Sequence, residues 1–188
     1  LKKAFKIHFI VLAVFILLPQ MISATTFSGG RTSGIFNAYY DSSVFSYGYS
    51  PHFDAGKNNW GSISSKVNIT YMNNTTGYPD KYYVGTTSTS GLIGLTQPYK
   101  KNLLGSIVTA GQNDTWLYCT ISIYDNQIKG SGLNYNQIVS SATTHEIGHS
   151  LSQAHSPSGV SSVMTSSSIT DFAPTLYDKN ELISKWGP

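Results

Sequence analysis

An α+β fold is predicted for this chain by three observations. Alternating apolar segments of strand length crowd residues 35–124. The longest helical periodicity falls late, at residues 136–151, and a second helical pattern closes the chain at 177–186. No internal repeat or linker divides the 188 residues, so residues 25–188 read as one domain after an N-terminal segment, residues 1–24. That length is ample for a real core.

Composition narrows the class further. Charged residues make up only 11% and aromatics 13%, the reverse of a disordered chain. One cysteine rules out a disulfide-stapled mini-protein. The formal charge of +3 would hint at a polyanionic partner, but Lys2, Lys3 and Lys6 all lie in the N-terminal segment. There they precede an apolar run over residues 9–18, and Ala24 supplies a small exit residue. A basic start, an apolar stretch too short to span a bilayer and a small residue at the exit describe a secretory signal peptide. Cleavage at Ala24 leaves nine Lys+Arg against nine Asp+Glu. The expected product is therefore secreted and formally neutral, with no nucleic-acid partner and no membrane partner once the signal is removed.

The elements follow in order. Residues 28–34 read as a flexible entry. Residues 35–40 and 66–72 read as strands, the second alternating Val67, Ile69 and Tyr71 against Lys66, Asn68 and Thr70. Between them Phe53, Gly56 and Trp60 fall at helical spacing. Residues 73–80 form a turn cluster with Gly77 and Pro79, and residues 82–86, 92–96 and 116–124 are further strands. Cys119 sits in the last of these as a small core residue. The tyrosine groups at 39–40, 47–49 and 82–83 read as strand packing. In the long helix Ile138, Ala142, His145 and His149 share one stripe, and in the closing helix Leu182 and Trp186 lie four apart.

The chemistry lies in His145-Glu146-Ile147-Gly148-His149. Histidines four apart on a helix differ by roughly 40° around the axis, so both imidazoles can grip one metal ion. Glu146, beside the first ligand rather than on the metal, can take a proton from a water on that metal. Two imidazoles, a third ligand and water suit zinc in an open tetrahedral site. The chain has five His and two Glu, which makes this placement improbable by chance. For the third ligand His155 follows His149 by six residues, which on a continued helix would swing it to roughly 240°. The helix must end between them and the chain turn back, and Ser152, Gln153, Ser156, Pro157 and Gly159 allow that. The competing ligands are the carboxylates Asp171, Asp178 and Glu181.

The run His145-Glu146-Ile147-Gly148-His149-Ser150-Leu151-Ser152-Gln153-Ala154-His155 resembles the HExxHxxGxxH zinc signature of the metzincin proteases and, within them, the matrixins. Ser162-Val163-Met164 resembles their Met-turn, and residues 176–187, with Asp178 and Trp186-Gly187, resemble the closing matrixin helix. Residues 91–98 are similar to the edge strand that pairs with substrate, and Ile121-Ser122-Ile123-Tyr124-Asp125 to the strand beside it. Trp60 and the strand after it are similar to the first matrixin helix and its following strand. The resemblance implies a zincin-like fold: a twisted mixed β-sheet, an active-site helix and a C-terminal helix. It implies a secreted monomeric zinc endopeptidase with one catalytic zinc ion on His145, His149 and His155, and Glu146 as general base. A protein or peptide substrate would lie extended near residues 92–95, and Met164 would form an apolar floor beneath the histidines.

Some positions depart from the pattern. Ser152 replaces the signature glycine, whose left-handed turn costs a residue with a side chain roughly 1 kcal/mol. Thr165 follows the methionine where an aromatic is common. Gly94 stands where matrixins place a structural-zinc histidine, so no second zinc is expected, and Asp125 is the one suggestion of a calcium ligand. The alternative from another class is a catalytically inactive secreted zinc-fold binding module.

Overall fold

The computed structural model describes residues 25–166 and 171–188; the expected signal peptide, residues 1–24, lies outside the described residues. Six strands form one mixed sheet: β1 (Gly34–Tyr40), β2 (Val67–Met72), β3 (Asp80–Gly85), β4 (Gly94–Lys101), β5 (Ile107–Thr109) and β6 (Tyr118–Tyr124). Their spatial order is β2-β1-β3-β6-β4-β5. The first four in that order run parallel, β4 is antiparallel to β6, and β5 is antiparallel to β4. Five helices accompany the sheet among the described residues: α1 (Ser42–Ser46), α2 (Ser50–Gly61), α3 (Asp125–Gly130), α4 (Tyr135–Ser150) and α5 (Leu176–Trp186). The α+β class expected from the sequence is thus observed, and none of these helices is long and apolar enough to cross a membrane.

One core lies where α2 and α4 meet the sheet. Alternate strand residues Ala38, Tyr40, Ile69, Tyr82, Val84, Ile121 and Ile123 face Phe53, Trp60, Ile138, Val139 and Ile147 of the two helices. Trp60 has no exposed surface, and its indole N–H donates to the Thr144 carbonyl at 2.8 Å, so the bulk and the polar handle of one side chain fix α2 to α4. Tyr40, Tyr49 and Tyr82 are buried, and so is Cys119, whose thiol burial pushes far above its usual range.

Boundaries shift where local signals conflict with pairing. Asp80, read as the end of a turn, opens β3: it is fully buried, ion-paired with Arg31, and accepts from the Cys119 N–H at 2.6 Å. Residues 28–34 are not a free entry. Gly29 donates to the Gln112 carbonyl at 2.9 Å, and Gly30 both donates to Asp114 and accepts from the Trp116 N–H. Asp125, read as the end of a strand, opens α3. Its carboxylate accepts from the Tyr49 and Tyr135 hydroxyls at 2.9 and 2.6 Å and pairs with Lys129 at 2.7 Å.

Candidate metal centre

Helix α4 begins at an Asn134 cap, whose side chain accepts from the Gln137 N–H, and runs to Ser150. His145 and His149 lie half-buried one turn apart on its cleft side, with Glu146 buried beside them. The chain then reverses. Ser152 takes φ +68°, the left-handed conformation for which glycine is usually needed, and its N–H donates to the His149 carbonyl at 2.9 Å. Room for its side chain comes from across the fold: residue 30 is glycine, and a β-carbon there would collide with Ser152 Oγ. The serine therefore makes the turn, and His155 returns over the helix end.

The turn still carries a penalty, because Ser152 Oγ is buried with no hydrogen-bond partner among the described residues. Ser152→Gly is expected to raise stability by about 1 kcal/mol, the removed strain and orphan hydroxyl outweighing the extra chain entropy of glycine. Urea denaturation checks this, and a less stable variant would contradict it.

Three imidazole nitrogens converge as a result. His155 Nε2 lies 3.3 Å from His145 Nε2 and 3.2 Å from His149 Nε2. Ligands about 2.05 Å from a tetrahedral zinc would be spaced by roughly 3.3 Å. Two carbonyls fix the tautomers: His145 Nδ1 lies 2.7 Å from the Val163 oxygen and His149 Nδ1 2.8 Å from that of Gln153. Each Nδ1 thus donates, and each Nε2 keeps its lone pair for the centre. Burial pushes the His145 pKa down to about 4 and that of His149 down to about 3, so both rings are neutral near pH 7. Two lone pairs aimed at one point beside a third imidazole nitrogen make this donor set fit a metal ion. Among the described residues it is the one group of three or more such side chains that could hold a metal.

The other carboxylates weighed as third ligands are engaged elsewhere. Glu181 accepts from the Thr25 backbone N–H at 2.8 Å, and Asp171 accepts from the Ser161 hydroxyl at 3.0 Å. Asp178 accepts from the Ser162 hydroxyl, from the Val163 N–H at 3.0 Å and from the Thr175 N–H at 2.8 Å. It thereby ties the start of α5 to the turn whose Val163 carbonyl orients His145. Met164 in that turn is 2% exposed and packs against the helix at Gly148.

Glu146 reaches from α4 to β4. Thr96 Oγ1 lies 2.7 Å from its Oε2 and 2.9 Å from its backbone oxygen. Gly94 leaves space for the other oxygen, since a β-carbon there would lie 2.6 Å from Oε1. Burial raises the Glu146 pKa to about 7, against the lowering effect of the Thr96 bond. A cleft of about 1090 Å³ runs past these groups, lined by residues 91–98 on one side and by Ala142, Val163 and Thr165 on another. Strand β5 pairs with Tyr99, Lys100 and Lys101, and Ala110 after it donates to the Pro98 carbonyl, so among the described residues the outer edge of β4 is open at residues 94–97, next to Glu146.

Two contributors were not legible in the sequence. Thr96 lies 50 residues from Glu146, with nothing local to mark it. Phe27, just before the segment read as flexible, stacks on His149 with centroids 6.0 Å apart and packs against Trp116 at 5.6 Å. Its aromatic character was the available signal. No protein-family profile matches the chain, and no curated protein sequence matches it.

Proposed function

We propose that this protein is a secreted zinc-dependent endopeptidase of the metzincin type, matrixin-like, acting on protein or peptide substrates. The convergence of His145, His149 and His155 Nε2, with the Glu146 carboxylate beside an open strand edge, is the observation that supports this reading. In it the three histidines hold one zinc ion, and Met164 packs beneath them. When bound, zinc supplies Lewis-acid polarisation of the scissile carbonyl and makes the attacking water more acidic.

The protein's own groups do the rest. An extended peptide pairs with the open backbone of residues 94–97, adding a strand through main-chain hydrogen bonds. Glu146 takes the proton of the attacking water and passes it to the leaving amine. Thr96 holds the carboxylate on the cleft side of α4, which makes it a positioning residue. Thr96→Val is expected to lower kcat about tenfold with KM nearly unchanged, while Thr96→Ser retains most of the rate. Steady-state kinetics on one peptide checks both, and an unchanged kcat in the valine variant would remove Thr96 from the account.

Incubation with denatured casein, followed by mass spectrometry of the products, tests the function. Internal cleavage that a chelator stops is the expected result. Zinc bound without any cleavage would instead assign the chain to the inactive binding modules.

A further inference from the structure

The hairpin joining β4 and β5 ends in an apolar tip that no described residue covers. Pairing of β4 with β6 stops at Tyr99 and Tyr118, and beyond it Lys100 and Lys101 pair only with Val108 and Ile107 of β5. The turn therefore projects past the sheet. At its end Leu103 is fully exposed and Leu104 is 90% exposed, with Ile107 also exposed beside them. Turns select glycine, asparagine, aspartate, serine and proline for their backbone demands, and two leucines fully in water contribute nothing to this one.

The backbone of the tip is closed on itself. Asn102 Oδ1 accepts from the N–H groups of Leu104 and Ser106, each at 2.9 Å. The Asn102 carbonyl accepts from Gly105 at 3.0 Å, and its N–H donates to Ser106 at 2.9 Å. A medium without water penalises open backbone groups, and here those of Asn102 and Ser106 and the N–H groups of Leu104 and Gly105 are satisfied within the turn.

Behind the leucines is a collar of cations and phenols. Lys101 Nζ sits 4.7 Å over the Tyr78 ring and Lys81 Nζ 4.9 Å over that of Tyr118. Tyr78, Tyr118 and Tyr99 stack in sequence, with centroids 6.2 and 5.0 Å apart. Lys100 is paired with Asp114 at 2.6 Å, but neither Lys81 nor Lys101 has a carboxylate within ion-pair distance among the described residues.

We propose that this tip docks on an anionic phospholipid bilayer. Leu103 and Leu104 enter the acyl boundary, Lys81 and Lys101 meet headgroup phosphates, and the tyrosines lie at the interface. No membrane partner was expected after signal cleavage, and residues 25–188 are formally neutral, but that neutrality averages over a surface on which these two cations stand together beside exposed leucines.

Co-sedimentation of the chain beginning at Thr25, which holds every described element, with sucrose-loaded vesicles tests the proposal. Binding to mixed phosphatidylcholine–phosphatidylglycerol vesicles is expected, and it weakens as salt is raised. Leu103→Ser/Leu104→Ser should weaken it by about tenfold or more. Lys81→Gln and Lys101→Gln should each weaken it roughly fivefold. Circular dichroism and peptide cleavage should stay unchanged in all three variants, because none of the four substituted residues lines the cleft at the histidines. Absence of binding by the parent chain, or equal binding by the double-serine variant, would overturn the proposal. So would equal binding to pure phosphatidylcholine, or a leucine-dependent dimer in place of vesicle binding.

Discussion

Replacing Glu146 with glutamine is expected to lower kcat/KM for peptide hydrolysis by about 10²–10⁴-fold while one zinc ion stays bound. Glutamine keeps the size of the side chain and can still accept the Thr96 hydroxyl hydrogen bond, so the packing between α4 and β4 survives. What it loses is the ability to take and return a proton. Steady-state kinetics combined with metal analysis of the same preparations separates the two effects. Turnover near that of the parent protein would show that another group is the base, and loss of zinc with turnover would show that Glu146 matters to the site in some other way.

His155→Ala is expected to weaken zinc by at least about a hundredfold, because loss even of a ligand's supporting partner costs 10–100-fold. His155 is exposed at the rim and is carried by the loop after Ser152, whereas His145 and His149 are fixed on a helix. Removing it should therefore spare the core and affect the metal. At a zinc concentration about a thousand times the parent Kd, binding stabilises the parent by about 4 kcal/mol and the variant by about 1.4 kcal/mol. For a domain of this size that is a zinc-induced rise in Tm of roughly 10 °C against roughly 4 °C. Differential scanning calorimetry with and without zinc reads the difference. Equal shifts would mean that two histidines and some other group hold the ion.

Much of the centre was legible because its signals are local. The histidine spacing and the helical period of α4 agree, so sequence alone places His145 and His149 on one face. Helices α2 and α5 were visible for the same reason. Helices α1 and α3 were not, since SSVFS and DNQIKG are too short to show a period, and the three residues of β5 owe their conformation to β4. The fate of Ser152 depended on residue 30, which lies more than a hundred positions away. Local propensity counted against the turn, and a non-local vacancy made it possible. The Thr96–Glu146 bond and the contact of Phe27 with His149 belong to the same class, created by packing and invisible to periodicity.

The central claim is tested most directly by titrating zinc into the metal-free protein while binding and peptide cleavage are followed in the same samples. Cleavage should rise in proportion to occupancy, saturate at one zinc ion per chain and disappear when a chelator removes it. Saturation at one ion with no cleavage at any loading would contradict the account and leave a zinc-binding protein without hydrolytic function.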